Sequence, residues 1–338
     1  MTVLILAAER DFTADRMVAA LKERGVPAAR MDTAWFPLKA TVSAEFHAGR
    51  WEGMLRAGGR RIELEGLRSI WYRSPSTFQF PPELTETERH WAMAEAKLGV
   101  GGVLASLPVR WINHPSRNAD AAYKPLQLTT AARCGLNVPD TLIGNVADAV
   151  RRFAARGETV VKALGAPAIV EDGGRKTTFT HRLGPADLAD LRRVEQTAHQ
   201  FQRWVPKAHE ARVIVVGDRV FAAAIHAGSA ASYVDWRNDY SALRYEEIEP
   251  PTPVTAGVMA YCAALGLTYG AFDFVIRPDG GWVFLECNPG GQYGWIEDAI
   301  DAPITETIAD LLREGNSAHD DDLGGLADPC TAARATAR

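Results

Sequence analysis

The sequence predicts a multidomain α/β protein, and three observations predict it. The N-terminus opens as strand, helix, strand; the same alternation resumes after Pro115; and an acidic β-hairpin stands near the C-terminal end. A chain of 338 residues exceeds one ordinary domain, so two or three are expected. Hydrophobic residues at 47% and charged residues at 23% are ordinary globular proportions and permit a substantial core.

Each element has its own signal. Residues 2–8 (TVLILAA) read as a buried strand, 13–24 as an amphipathic helix closed by Gly25, and 26–31 as a second strand. The turn between the first strand and the helix is Ala8-Glu9-Arg10-Asp11, without G-x-G-x-x-G, so a dinucleotide site fails at its defining position. Residues 41–72 read as short strands with turns at Gly49 and Gly58-Gly59, ending in Ile70-Trp71-Tyr72. A helix over about 84–106 and a strand over 109–113 close this part. Beyond Pro115 the expectation is helix 118–133, strand 138–143, helix 146–155 and strand 159–164. Gly165–Arg175 reads as a mobile loop between strands. Strand 199–205, a hairpin over 211–216 and 219–226, helix 252–265, a hairpin over 270–288, a Gly-rich loop and helix 301–313 complete the body. The segment after Asn316 has no periodicity and reads as disordered.

Composition excludes several classes. A net charge of −5 is wrong for a nucleic-acid protein, and Arg56–Arg61 reads as a solvated strand end. Four cysteines stand far apart without C-x-x-C, which removes zinc and disulfide frameworks and suits a reducing cytoplasm. No apolar run approaches the ~20 residues that span a bilayer. G-x-S-x-G and the Walker pattern are both absent.

The most informative stretch is GAFDFVIRPDGGWVFLECNPGGQYG, residues 270–294. Two β-rich runs flank Pro278-Asp279-Gly280-Gly281, and Asp-Gly signals a hairpin. With Asp279 and Gly280 as the central pair, Asp273 faces Glu286 and Ala271 faces Asn288. Alternation puts Asp273, Glu286 and Asn288 on one face, and Phe272, Phe274, Leu285 and Cys287 on the other, in the core. Adjacent carboxylates repel, and a divalent cation relieves them. Oxygen-only donors favour Mg²⁺ or Mn²⁺ over zinc. The plain alternative is two solvated acids on an exposed sheet.

FLECNPGGQYGW resembles the metal-binding signature of ATP-grasp ligases, and within them the microviridin-type (graspetide) peptide maturases, where Asn-Pro is followed by Gly-Gln and aromatic residues. The resemblance implies an ATP-grasp fold behind an N-terminal pre-ATP-grasp domain. The expected division is 1–110 pre-ATP-grasp, 111–205 central and lid lobe, 206–315 C-terminal lobe with the metal site, and 316–338 as the tail. It further implies ATP and two Mg²⁺ ions, with Asp273 on one, Glu286 bridging both and Asn288 completing the second. A ribosomally made precursor peptide with a leader is the implied partner, with no nucleic acid and no membrane. A homodimer in the cytoplasm is the expected assembly.

A triphosphate needs converging cations. Lys162 lies inside the apolar strand Val160–Leu164, where an ammonium must meet an anion or snorkel out. Lys124, on the helix after Asn113-His114-Pro115, resembles the first nucleotide lysine of the fold. By the same resemblance, strand 199–205 is the adenine-gripping linker. Main-chain groups around Arg203 and Val205 would read the purine, and Gln202 and Trp204 would shape the pocket. Lys207, Glu210 and Arg212 resemble the family's Lys…acid-x-Arg motif, with Arg212 expected at the γ-phosphate. Glu210 and Arg212 share a strand face, so the acid either orients the guanidinium or meets the ribose; a surface ion pair is the plain alternative.

Asp235-Trp236-Arg237 resembles a motif of the peptide-maturase branch. Arg237 would steady a carboxylate or oxyanion, and Asp235 would take a proton from the attacking group. A capped turn with a core tryptophan explains the same residues. Tyr72-Arg73 resembles a first-domain motif, structural or peptide-contacting, and His226 is the histidine expected nearest the site. The implied reaction activates Asp or Glu side chains as acyl phosphates and closes an ester with Thr or Ser, or an amide with Lys. Two rivals remain open: a ligase joining a free amino acid or small amine to a carboxylate, and a catalytically silent peptide-binding scaffold.

Overall fold

The computed structural model describes residues 1–165, 168–171 and 174–316. The expected tail beyond Asn316, and four residues of the expected loop at 165–175, lie outside the described residues. The chain forms two compact units. One comprises residues 1–118, 266–269 and 303 onward; the other comprises 119–265 and 270–302.

The first unit begins with β1 (Thr2–Leu6), α1 (Phe12–Glu23) and β2 (Ala28–Met31). Asp11 caps α1, its carboxylate accepting from Ala14 N at 3.0 Å. An antiparallel sheet follows, made of β3 (Ala40–His47), β4 (Arg50–Ala57) and β5 (Arg60–Glu63). Then come β6 (Leu67–Tyr72), α2 (Glu86–Ala105), β7 (Arg110–Ile112) and α3 (Pro115–Ala121). Thr85 and Glu88 form a capping box that starts α2. The parallel sheet has the order β2-β1-β6-β7, and Leu4, Met31, Ile70, Leu104 and Trp111 fill its core. Arg56 and Arg61 face each other across β4 and β5, both exposed, as a solvated strand end should be.

The second unit starts with α4 (Lys124–Arg133), β8 (Thr141–Gly144), α5 (Ala147–Ala154) and β9 (Thr159–Lys162). The single helix expected over 118–133 is therefore two. Pro125 supplies no N–H and sits in the first turn of α4, so the preceding helix cannot run through it. β10 (Ala168–Glu171) and β11 (Gly174–Thr177) pair as an antiparallel hairpin where a loop was expected. β12 (His181–Arg182), α6 (Pro185–Ala189) and β13 (His199–Arg203) follow. The four-stranded sheet β12-β9-β13-β8 packs Phe201 against Val150, Phe153, Leu191 and Val194.

The remaining elements are β14 (His209–Val216), β15 (Arg219–Ala227), α7 (Ala230–Val234), β16 (Leu243–Glu247) and α8 (Thr252–Leu265). After them come β17 (Tyr269–Ile276), β18 (Trp282–Asn288) and α9 (Gly294–Ile300). They build a five-stranded sheet of order β16-β15-β14-β17-β18. The expected Gly-rich loop before residue 301 thus contains a helix. The chain then returns to the first unit as α10 (Ile304–Glu314). Its Ile304, Ile308 and Leu312 are fully buried, Ser69 Oγ donates to Leu312 O at 2.7 Å, and Arg24 pairs with Asp310 at 2.8 Å.

The β17–β18 hairpin has a different centre from the expected one and the expected register at the site. Ile276 pairs with Trp282 and Arg277 N bonds Gly281 O at 2.9 Å, so the turn is longer than two residues, with Gly280 at φ +83. One residue too many would shift every downstream pair. A bulge absorbs it: Phe274 faces Phe284 while Asp273 faces Glu286, leaving Leu285 without a partner. Leu285 is half-buried as a result, and Phe284 takes the core place expected of it, 5.9 Å from the Phe274 ring.

Candidate active site

Past the bulge, Asp273, Glu286 and Asn288 stand together as expected. The Asn288 amide donates to Asp273 Oδ2 at 3.4 Å and to Glu286 Oε1 at 3.2 Å. Burial pushes the Asp273 carboxyl above its ordinary range, against the pull of Arg212. Glu286 is half-buried, which would raise its carboxyl, but Lys124 and Lys162 hold it below the ordinary range. Neither acid is a fully solvated group on an exposed sheet, so that alternative falls. Among the described residues no group of three or more His, Cys, Asp or Glu could hold a metal; here the third donor is an amide. Cys287, between Glu286 and Asn288, is fully buried, and burial raises its thiol well above the usual value, so it packs rather than attacks.

Two protein cations clamp these carboxylates. Lys124, the first residue of α4, reaches Glu286 Oε2 at 2.5 Å, and Arg212 NH1 reaches Asp273 Oδ1 at 2.8 Å from the adjacent strand β14. Arg212 is buried, so the surface-pair alternative falls as well. Its partner is Asp273 rather than Glu210, which instead forms a buried ion pair with Lys207. The expectation that Glu210 orients Arg212 is therefore corrected. Lys162 is half-buried and has no hydrogen-bond or ion-pair partner among the described residues. Burial lowers its pKa, while Glu286, Glu210 and Asp235 raise it. A cation held in a field of carboxylates without a bond of its own is poised for an anion.

The linker residues divide. Gln202 is buried and donates to Thr141 Oγ1 at 3.1 Å. The Arg203 side chain is committed elsewhere, bonding Phe153 O and Thr159 Oγ1 at 3.1 Å each and lying 4.6 Å from the Phe153 ring. Its N–H is taken by Asp140 O at 2.8 Å, and that of Trp204 by Glu158 O at 2.9 Å. Any main-chain reading of a purine therefore falls to the Arg203 carbonyl and to Val205. Trp204 and Tyr233 flank the Lys207 ammonium, each 5.4 Å away.

Asp235 and Arg237 form a two-pronged pair, Nε to Oδ1 at 2.9 Å and NH2 to Oδ2 at 2.7 Å. Thr180 N adds a third bond at 2.9 Å. Burial would raise the Asp235 carboxyl, but the bond and charge of Arg237 override it and hold it at about 2. A carboxylate held low and bonded twice to Arg237 is a weak proton acceptor, which counts against the expectation that Asp235 takes a proton from the nucleophile. The same acid caps the 3-10 turn at Trp236–Asn238 over a buried Trp236, so the capped-turn reading holds. Arg237 still lies in the field of Glu286 and Asp273.

His226 is opposite His209, on the β14–β15 face away from Arg212, with rings 4.8 Å apart. In the first unit, Arg73 is buried and pairs with Asp11 at 3.7 Å. Sequence reasoning missed Gln127, which accepts from Cys287 N at 3.0 Å and donates to Cys287 O at 2.8 Å. It locks α4 to β18 between Glu286 and Asn288; a lone amide three places after Lys124 was the available signal. Gln200 was missed too: it faces Lys162 across β13 and β9, and its buried amide oxygen has no partner among the described residues.

Comparison with known families matches residues 2–119 to the MvdD pre-ATP grasp domain. A sequence comparison with curated proteins gave no match. Among solved structures, the RiPP-associated ATP-grasp ligase of Chryseobacterium gregarium, in complex with ADP and a leader and core peptide, is 26% identical. The likeness covers 93% of this chain and 96% of that one, with a TM-score of 0.85. Macrocyclase MdnC of Microcystis aeruginosa MRC, bound with precursor peptide MdnA, is 29% identical over 93% and 99% of the two chains, TM-score 0.83. Macrocyclase MdnB of the same organism is 29% identical over 92% and 98%, TM-score 0.77. With this fold, these relatives and a carboxylate hairpin clamped by cations, the chain is an ATP-dependent, ADP-forming ligase of the ATP-grasp fold, similar over its length to graspetide-type maturases.

Proposed function

We propose that the chain activates a side-chain carboxylate of a ribosomally made precursor peptide as an acyl phosphate and joins it to a hydroxyl or amine of the same peptide. The observation that carries this is the convergence of Asp273, Glu286 and Asn288 with Lys124, Arg212 and the partnerless Lys162 within one unit. The peptide-bound neighbours support it.

Two carboxylates and an amide oxygen fit a hard divalent cation, so Asp273, Glu286 and Asn288 would hold Mg²⁺, with Mn²⁺ as the near substitute. Two ions bridged by Glu286 remain what the family resemblance implies. Bound there, the metal supplies positive charge to the triphosphate and to the transferring phosphoryl group. Lys162 would meet a phosphate oxygen, since no acceptor among the described residues occupies it. Arg212 is held in a fixed orientation by Asp273, which suits a donor that must not reorganise during reaction. Arg237, fixed by Asp235, would offer its remaining N–H groups to the substrate carboxylate or oxyanion. Gln202, Val205, Lys207 and Glu210 would line the nucleoside end.

The test is co-expression with the peptide encoded beside the gene, followed by mass spectrometry. Each ester or amide formed removes one water, so the expected product is lighter by whole waters and needs ATP. An unaltered precursor, with ADP released only when free amino acids or amines are supplied, would transfer the chain to the small-amine rival.

A further inference from the structure

The surface beside Arg212 continues past the residues already assigned. Trp236 and Trp295 have ring centroids 5.1 Å apart, and the Arg212 guanidinium lies 5.9 Å from one and 5.7 Å from the other. From Trp236 the row runs to Tyr240, edge-on at 5.5 Å; from Trp295 it runs to Tyr245 at 5.2 Å. The four rings come from two successive 3-10 turns, from β16 and from α9. No regular backbone pairing accounts for the whole row.

Exposure rises steeply along it, from 7% at Trp236 to 59% at Tyr240. Large aromatics left in water are unremarkable singly, but here one ends a contiguous row that starts on a buried arginine bonded to Asp273. An extended peptide advances about 3.3 Å per residue. A residue one or two places from a carboxylate held at Arg237, next to Trp236 in the chain, therefore comes level with rings spaced as these are. The neighbouring charges, Asp235 and Arg237, are already bonded to each other, so the row offers flat apolar surface rather than charge.

We propose that Tyr240, Trp236, Trp295 and Tyr245 form the wall along which the peptide segment flanking the reacting carboxylate lies, receiving an apolar or ring-bearing side chain from it. The proposal rests on the peptide-ligase reading above. Proline, aromatic and branched aliphatic side chains fit such a wall; charged ones do not. Tyr240 is the ring to remove, because it is exposed and its loss leaves the core intact.

The experiment compares wild type, Tyr240→Ala and Tyr240→Phe on the full-length precursor encoded beside the gene. It reads peptide KM, ATP affinity by calorimetry, melting temperature and oligomeric mass. One aromatic contact corresponds to roughly a three- to tenfold rise in peptide KM for Tyr240→Ala. ATP affinity, melting temperature and mass should stay unchanged, and Tyr240→Phe should restore the KM. A peptide KM equal to wild type in Tyr240→Ala would overturn the wall. So would a Phe variant as weak as Ala, or a change in oligomeric mass without a change in KM. Failure of the underlying reading looks different: wild type itself would leave the precursor unmodified.

Discussion

Lys162 and Asp235 show how far burial alone decides a side chain's work. Both are charged groups at least half-buried, yet Asp235 accepts four hydrogen bonds and the Lys162 ammonium makes none among the described residues. Replacing Lys162 with Met should therefore separate stability from affinity. Without nucleotide the stability should change little, because relief of a half-buried ammonium is offset by the loss of its charge beside Glu286. ATP affinity should fall by about 1.5–3 kcal/mol, roughly tenfold to a hundredfold, in calorimetry. Asp235→Asn probes the other case. The folded carboxyl is depressed from 3.8 to about 2, so its stabilisation is complete above about pH 4 and is lost as pH falls toward 2. The stability gap between wild type and Asp235→Asn should be about 2 kcal/mol near pH 6 and should close over that window in unfolding measurements. Lysine in an apolar strand was legible in the sequence, because an ammonium among Val and Leu needs a reason. The true partners of Arg212 and Glu210 were not. Alternation places a side chain on a face, but β14 has neighbours on both sides, and only the tertiary pairing chooses Asp273 over Glu210.

At the scale of elements, the β17–β18 hairpin carries most of the chemistry, and its register takes up one unpaired residue. The Asp-Gly signal located the hairpin but not its length. The placement of Asp273 opposite Glu286 was right because a turn longer than expected is offset by the bulge at Leu285. Neither device has a local signature that separates Leu285 from Phe284; both are large apolar residues, and packing against Phe274 chooses between them. Deleting Leu285 removes the one residue without a partner, so Phe274 should stay opposite Phe284 and Asp273 opposite Glu286. ADP release should stay within about tenfold of wild type, about 1.4 kcal/mol at the transition state, while circular dichroism keeps its folded signature. A loss of two or more orders of magnitude would mean that the bulge itself shapes the site. The break between α3 and α4 was readable, because Pro125 forbids continuity. Helix α9 was hidden behind Gly290 and Gly291, whose turn chemistry dominates the local pattern.

At the scale of the molecule, the division into units follows space rather than sequence. Local patterns found most strands and helices, because hydrophobic period and punctuation are local. The packing of α10 on the N-terminal sheet joins residues more than two hundred apart, such as Ser69 and Leu312, and no window of sequence contains it. Ending the chain after Ala302 should expose Val3 and Ile5 of the first unit, on the sheet face that carries Ser69, rather than the β17–β18 hairpin. Three fully buried side chains, Ile304, Ile308 and Leu312, each contribute about 1.5–3 kcal/mol. Limited proteolysis should then cut first within residues 1–118, with cleavage sites mapped by mass spectrometry; early cuts in 270–288 would contradict this. The returning helix also bears on how the protein is made. The strands it seals leave the ribosome before the helix that seals them. At roughly 5–20 residues per second, the intervening second unit takes on the order of 10–40 s to synthesise. Throughout that interval the sheet lacks its final cover, and a newborn chain is open to chaperones and proteases at those strands.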